Sequence, residues 1–244
     1  MSRLVLFLTG VLAVAMLSGC FPIVTGGEQV VGSGRSVTQE YDFSGFTRVG
    51  VGSAFEVDIN QGDDYAVAVT VDDNIVEYLD VRVDGDTLLI GFRPSLRLGF
   101  RNMVLRAEIT MPDLAELDLS GATRTRVNGF SNDRLVDIEV SGASRLTGDL
   151  TSGEMNIEAS GASRVELNGE TGALDARASG ASTLRLQDLA STDTRVDAGG
   201  ASTIVVNPSG RLTGDASGAS TVRYAGSPST VQVDTSGASS VRQD

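Results

Sequence analysis

A short motif that recurs at a nearly constant interval constrains this sequence more than any other feature. The tripeptide Ser-Gly-Ala, replaced once by Gly-Gly-Ala, occurs seven times in the C-terminal half at intervals of 18 to 21 residues. Regular self-similarity on this scale is typical of solenoid proteins, in which each repeat packs on the next. The seven tripeptides begin at Ser120, Ser141, Ser160, Ser179, Gly199, Ser217 and Ser236.

Apolar and polar residues alternate on both sides of each tripeptide. When the first residue of the tripeptide is counted as position 0, apolar residues predominate at positions −5, −3, +5 and +7, and polar residues lie between them. A period of two indicates β-strands with one buried face, whereas no segment of ten residues here shows the helical period. Position +5, for example, holds Leu146, Val165, Leu184, Ile204, Val222 and Val241.

These patterns together predict an all-β fold, a parallel β-helix (β-solenoid) with coils of about 19 residues. The repetition of similar residues at equivalent positions is best explained if the coils stack, each hydrogen-bonded to the next at a spacing of about 4.8 Å. The tripeptide then forms a corner between two strands, where glycine permits backbone angles that other residues avoid. The alternative, an antiparallel meander with one hairpin per repeat, explains the near-identity of successive motifs less well.

The first half of the folded body is less regular but still rich in strand patterns. The domain is expected to span residues 40–244, with an N-terminal part at 40–114 and the repeats at 115–244. A β-rich N-terminal cap is predicted at 40–114, because the open end of a solenoid needs covering. Within it, residues 81–90 read as a hairpin with an Asp-Gly turn, and residues 73–79 as a short helix.

The first twenty residues predict export and lipidation. Arg3 is followed by an apolar stretch of fourteen residues, Leu4 to Leu17, too short to span a bilayer comfortably. The sequence Leu-Ser-Gly-Cys that ends at Cys20 resembles a bacterial lipobox, and Cys20 is the only cysteine in the chain. We therefore predict a lipoprotein signal peptide at 1–19 and a lipidated tether at 20–39, the alternative being a signal-anchor helix.

The residue after the cysteine bears on the membrane that receives the lipid. Phe21 is not an aspartate, which by resemblance to the sorting rules of Gram-negative lipoproteins favours the outer membrane. The expected location is therefore the cell envelope, with the protein anchored through its N-terminal lipid.

Composition excludes several classes of function. The 244 residues include 32 acidic and 19 basic side chains, all of the latter arginine, for a net charge of −13, and there is no histidine. Without histidine or lysine there is no Ser-His-Asp triad, imidazole zinc site, Schiff base or P-loop clamp. The negative charge argues against nucleic-acid binding. We expect no enzyme activity and no cofactor, with the exception of Ca²⁺ as considered below.

Three features of the sequence together resemble the head GIN domain family, described as a "putative auto-transporter adhesin". They are the segment from Val51 to Gly62, the segment from Asp84 to Ile90, and the Ser-Gly-Ala-Ser repeats. The resemblance covers about residues 45 to 225. It implies a β-solenoid on secreted or lipid-anchored bacterial proteins, and it supplies no catalytic residues.

Two outward-facing ladders are candidate binding sites. If the coils stack, the carboxylates at position −2 lie about 5 Å apart, close enough for Ca²⁺ to sit between them, although a solvated ladder interrupted by Arg177 is the simpler reading. These residues are Asp118, Glu139, Glu158, Asp197, Asp215 and Asp234.

Position +4 supplies the second ladder. It holds arginine in the first three repeats, at Arg124, Arg145 and Arg164, and then hydroxyl residues. The hydroxyl ladder of Thr183, Thr203 and Thr221 is suited to binding a regular surface, although threonine is also common on exposed strands. A separate basic and aromatic stretch, residues 92–106, is suited to anionic lipid or an acidic glycan, or forms a hairpin paired with carboxylates.

The resulting hypothesis is a non-catalytic, lipid-anchored envelope protein that presents a rigid, repetitive surface for adhesion, with a glycan or an envelope protein as partner. Two alternatives remain: a carbohydrate-active β-helix enzyme similar to polysaccharide lyases, and an envelope scaffold that polymerises end to end. The sequence leaves the oligomeric state open.

Overall fold

The structure, a computed structural model, confirms the parallel β-helix. It describes residues 30–93 and 103–244, whose regular secondary structure is β-strand except for one 3₁₀ turn. Within these two ranges, no helix has the length and apolar character needed to cross a membrane. The signal peptide, Cys20, residues 21–29 of the tether and residues 94–102, including Arg97 and Arg101, lie outside the described residues.

The strands follow one another along the chain with one short interruption. In order they are β1 (Ser36–Tyr41), β2 (Arg48–Val51), β3 (Glu56–Gln61), β4 (Ala66–Asp72), the 3₁₀ turn (Val76–Tyr78), β5 (Leu79–Asp84), β6 (Thr87–Phe92), β7 (Leu105–Met111), β8 (Glu116–Leu119), β9 (Arg124–Ser131), β10 (Leu135–Val140), β11 (Arg145–Ala159), β12 (Arg164–Ala178), β13 (Thr183–Ala198), β14 (Thr203–Pro208), β15 (Arg211–Ala216), β16 (Thr221–Tyr224), β17 (Thr230–Thr235) and β18 (Ser240–Gln243).

Each coil contributes two strands, one on either side of its Ser-Gly-Ala corner. The strands before the corner form what we call the leading sheet, and those after it form the trailing sheet. From β8 onward, every pairing between coils is parallel and joins residues about one repeat apart. In β11, β12 and β13 a single long strand passes from the trailing sheet into the leading sheet.

The predicted inward positions form columns in the interior. Leu184 pairs with Val165 in the preceding coil and with Ile204 in the following coil, and all three side chains are fully buried. The columns at −5 and −3 are likewise buried through most of their length, but Val231 in β17 is 42% exposed because no further coil of the described chain covers it. Burial of these columns is the main source of stability for the solenoid.

Each corner is built from stacked backbone and an inward serine. The glycine at position +1 adopts a positive φ of +67° to +74° in all seven repeats. The serine that follows the tripeptide points inward, and in the later coils its hydroxyl donates a hydrogen bond to a carbonyl of the preceding coil, which accounts for a polar residue inside. Ser202, for example, donates to the Ala178 carbonyl at 3.1 Å, and Ser220 to that of Ala198 at 3.0 Å.

The N-terminal part adds coils as well as a cap. Strands β2 and β3 pair in parallel with β8 and β9 on one side and with β6 and β7 on the other. The chain therefore inserts an early coil between two later segments. The segment Gly52-Ser53-Ala54 lies beside Ser120-Gly121-Ala122, because Val51 pairs with Leu119 and Glu56 with Arg124. It is a repeat whose tripeptide departs from the motif.

Three antiparallel strands close this end of the solenoid. Strand β5 pairs with β6 in the predicted hairpin, β4 pairs with β7, and β1 pairs with β4. The helix of one or two turns expected at 73–79 is a single 3₁₀ turn. Asp73 does not cap it and binds Ser33 and Arg35 instead. Strand β1 begins at Ser36, so residues 36–39, assigned to the tether from sequence, pair within the cap.

Candidate ligand-binding surfaces

The carboxylates at position −2 form a continuous column on the leading sheet, hereafter the acidic column. Asp118 pairs in register with Glu139, which pairs with Glu158 in the next coil. The column then passes through Arg177 and continues through Asp197, Asp215 and Asp234. The structure thus brings the predicted residues together, and ion binding there stays a prediction. Among the described residues, no group of three or more metal-ligating side chains converges on one point.

Electrostatic repulsion between carboxylates is concentrated at the N-terminal end of the acidic column. Burial raises the pKa of Asp118 above its usual range. The pKa of Glu139 is also raised, first by burial and then by the negative charges of Asp118, Glu158 and Glu116. Both shifts mean that the folded state disfavours the ionised carboxylates.

Arg177 does not relieve this repulsion. Its guanidinium donates a hydrogen bond to Asp175 in its own strand at 2.5 Å, and no ion pair within 4.0 Å joins it to Glu158 or Asp197 in the described chain. A shallow groove of about 170 Å³ lies beside these residues and is bordered by Glu139, Glu158 and Arg177.

Replacing Glu139 with glutamine is therefore expected to stabilise the protein at pH 7. The pKa of Glu139 is raised in the folded state, so above that pKa its ionised carboxylate lowers the stability of the protein. As the pH falls through the pKa, the carboxylate is protonated and this destabilisation disappears. Removing one like charge from a strand column gains about 0.2–1 kcal/mol, an increase in Tm of up to about 4 °C. Thermal unfolding at pH 7 and pH 3 measures both effects.

The matched control is Glu170→Gln, because Glu170 is exposed and its register neighbours are Thr151 and Ala190. It is expected to change Tm little at either pH. If Glu170→Gln raises Tm as much as Glu139→Gln does, repulsion within the acidic column is not the cause. The same holds if the increase in Tm for Glu139→Gln is unchanged at pH 3.

The hydroxyl column lies on the trailing sheet, directly after the corner. Thr183, Thr203 and Thr221 pair in register in successive coils, and Ser240 extends the column. The three threonines are half-buried, with the hydroxyl-bearing face toward the outside of the coil. The predicted ladder is thus one physical surface, and its role in binding stays a prediction.

The same column changes character toward the N-terminal end. Thr183 pairs with Arg164, Arg164 with Arg145, and Arg145 with Arg124, so three guanidinium groups occupy consecutive coils. We call these three residues the arginine column. Beyond them lies Glu56 of the inserted coil.

Three adjoining grooves follow the arginine column. One of about 360 Å³ is bordered by Arg124 and Arg145 and also by Glu56 and Asp58. A second of about 130 Å³ is bordered by Arg145, Arg164 and Thr183. A third of about 240 Å³ lies on the other side, between Arg106 and Arg124. Each groove is bordered by at least one member of the arginine column, and neighbouring grooves share an arginine.

Sequence reasoning identified the arginines but not their surroundings. Glu56, Asp58 and Arg106 complete this surface because β3 and β7 pair beside β9, which the repeat pattern did not indicate. The available signal was the alternation at Val49, Val51, Val57 and Ile59, which matches positions −3, −1, +5 and +7 of the repeats.

Comparison with protein families gives one match. The model described as "Putative auto-transporter adhesin, head GIN domain" matches residues 45–228. A search of curated proteins found no significant match to this sequence.

Solved bacterial structures share the fold. A crystal structure of "a putative adhesin" from Bacteroides fragilis is 19% identical, with a TM-score of 0.79 over 86% of this chain and 97% of that one. A "putative lipid binding protein" from Parabacteroides distasonis is 19% identical, with a TM-score of 0.69 over 89% and 100%. A "putative adhesin" from Parabacteroides merdae is 17% identical, with a TM-score of 0.66 over 88% of this chain and 99% of that one. None of these three is described as an enzyme.

Proposed function

The chain belongs to the head GIN domain family, and from this premise we propose that it is a non-catalytic adhesion protein of the bacterial cell envelope. An adhesion-type role fits both the family description and the descriptions of the similar structures. In this proposal, the solenoid is a rigid support and the outward columns make the contacts, with a glycan or an envelope component as the partner.

The observation that carries the proposal is the in-register repetition of outward side chains over seven tripeptide-bearing coils. A surface with the same chemistry at each coil can hold a repetitive partner at several points. Once one contact forms, the next is effectively intramolecular, so individually weak contacts add to a strong attachment. The fully buried columns beneath keep the spacing constant.

We further propose that Cys20 carries a lipid that holds the protein on the outer membrane. The basis is the lipobox-like sequence that ends at this residue. Acyl chains supply enough buried hydrocarbon for stable membrane attachment when more than one is present.

The attachment is tested with the full chain in a Gram-negative host. Wild-type protein is expected in the outer-membrane fraction after density separation, whereas Cys20→Ser should lose the lipid and leave that fraction. Metabolic labelling with a fatty-acid analogue measures the modification directly. Membrane retention of the Cys20→Ser protein together with an uncleaved N-terminus would instead support a signal-anchor helix.

Adhesion is tested by comparing the binding of beads that carry many copies of the protein with the binding of single molecules in solution. Beads that carry many copies of the full chain are expected to bind a glycan-coated or envelope-coated surface at least about 100-fold more tightly than the single protein in solution. Beads that carry a variant with a disrupted corner serve as the control. Depolymerisation of an offered polysaccharide, followed as release of reducing ends, would favour the enzyme alternative, and absence of retention on every surface would contradict adhesion.

A further inference from the structure

The arginine column differs from most of the other described arginines in lacking carboxylate partners. Eleven of the sixteen described arginines have a nitrogen within 4.0 Å of a carboxylate oxygen of the described chain. Five do not, and three of these five are Arg124, Arg145 and Arg164. On a chain of net charge −13, three unpaired cations in one column are unexpected.

Nearby carboxylates are occupied by other arginines. Glu56 lies in the same column, but its carboxylate is 3.8 Å from Arg106 on the far side from Arg124. Asp58, two residues further along β3, accepts a hydrogen bond from Arg126 at 2.9 Å. The arrangement leaves the guanidinium groups of the arginine column available to an external partner.

Stacking these arginines costs free energy in the absence of such a partner. Strands in adjacent coils are about 4.8 Å apart, and like charges directly opposite one another destabilise a sheet. An anion that lies between two guanidinium groups removes this repulsion and receives charge-assisted hydrogen bonds from both. The planar guanidinium is well suited to carboxylate and sulfate groups, which it can bind through two parallel hydrogen bonds.

The shape and length of the surface indicate a linear ligand. The arginine column runs in the direction in which the coils stack, with grooves beside it, so a chain lying along it passes one arginine per coil. The coil spacing is close to the advance per sugar of an extended polysaccharide. Beyond Arg164 the same column continues as the hydroxyl column, beginning at Thr183, which can bind sugar hydroxyl groups.

A flat anionic surface fits less well than a linear chain. On the same sheet, Glu56 occupies one end of the cationic column, and Asp58 and Glu166 lie beside it. A membrane of anionic lipids would meet these carboxylates as well as the arginines, and the net charge of −13 would add general repulsion. The groove beside Arg145 and Arg164 has no acidic residue in its lining, so a narrow chain there meets the carboxylates Glu56 and Asp58 only where it reaches Arg124.

We propose that the arginine column binds a linear anionic polysaccharide, one that carries carboxylate or sulfate groups on its successive sugars and lies along the solenoid. The inference rests on the adhesion role proposed above and specifies the class of ligand. Each guanidinium binds one anionic group, and the hydroxyl column contacts the continuing sugar chain.

The test compares two triple variants of the full chain that have the same net charge. One carries Arg124→Gln, Arg145→Gln and Arg164→Gln. The other carries Arg82→Gln, Arg195→Gln and Arg211→Gln, which removes three ion-paired arginines from the leading sheet. Binding to immobilised polygalacturonate, dextran sulfate and neutral dextran is measured at low and high salt, together with binding to vesicles of phosphatidylcholine and phosphatidylglycerol.

The arginine-column variant is expected to bind the two anionic polysaccharides about 30-fold more weakly, roughly a factor of three for each exposed ionic contact. Its Tm should not fall, because like charges have been removed. The leading-sheet variant should bind nearly as the wild type does, and high salt should weaken wild-type binding.

Three results would overturn the inference: equal weakening in both variants, no weakening in the arginine-column variant, or arginine-dependent binding to the anionic vesicles alone. The adhesion proposal is judged separately. If the wild type and the arginine-column variant are retained equally on glycan or envelope surfaces, adhesion stands and the anionic ligand is wrong. If neither protein is retained on any surface, both proposals fail.

Discussion

Replacement of Gly180 with alanine is expected to destabilise the solenoid by about 2–5 kcal/mol, the sum of a backbone cost and a steric cost. Gly180 adopts a φ of +68°, in the left-handed region. A Cβ atom there would lie 2.5 Å from the carbonyl oxygen of Gly161 in the preceding coil. That oxygen accepts a hydrogen bond from the Ala181 amide at 2.8 Å, so it cannot move away without loss of the bond.

The matched control is Gly85→Ala, which separates the two costs. Gly85 has a nearly equal φ of +62°, but no heavy atom lies within 4 Å of the position its Cβ would take. Only the backbone cost of about 1–2 kcal/mol is expected there. Denaturant unfolding of both variants measures the difference. Equal destabilisation by the two substitutions would show that the close stacking of corners does not limit this position.

Truncation of Phe55 to alanine is expected to cost about 3–5 kcal/mol, as for other fully buried aromatic side chains. Phe55 is 0% exposed, and its ring centroid lies 5.6 Å from that of Phe92. It follows the Gly-Ser-Ala corner of the inserted coil, at the position where later coils carry an inward serine. The cavity would therefore form where the inserted coil joins the repeats and the cap.

Phe43→Ala controls for the loss of an aromatic ring. Phe43 is half-buried and stacks on Tyr41 at a centroid distance of 5.3 Å, so its truncation should cost much less. Thermal and denaturant unfolding of both variants, with the wild type alongside, give the comparison. A similar loss in both would indicate that Phe55 is not part of a continuous core.

The repeats were predictable to the level of individual columns. Each coil has the same pattern, so the alternation at Leu146, Val165 and Leu184 indicates both the buried face and the residues that stack. The acidic and hydroxyl columns follow from the same reasoning, because position −2 and position +4 have one environment in every coil. What these columns bind does not follow from periodicity, since a solvated ladder has the same pattern.

The inserted coil could not be placed in the same way. Its corner is Gly-Ser-Ala, and its partner strands, β6 to β9, are separated from it by long stretches of chain. Local alternation shows that β2 and β3 are strands, but it does not show which strands they pair with. The short helix expected near Asp73 is a single 3₁₀ turn, and local sequence did not indicate that Asp73 binds Ser33 and Arg35 in place of capping it.

The sequence by itself determined the all-β class, the length of the coil, the corners, and the side chains that face inward or outward. These depend on interactions that every repeat makes with its neighbour at one spacing, so a periodic pattern is enough to specify them. Only the tertiary structure decided that the early coil lies between later segments and that Glu56 pairs with Arg106, away from Arg124. The reason is that pairing between distant strands and competition among charges for partners depend on the register across the whole sheet, to which local sequence contributes little.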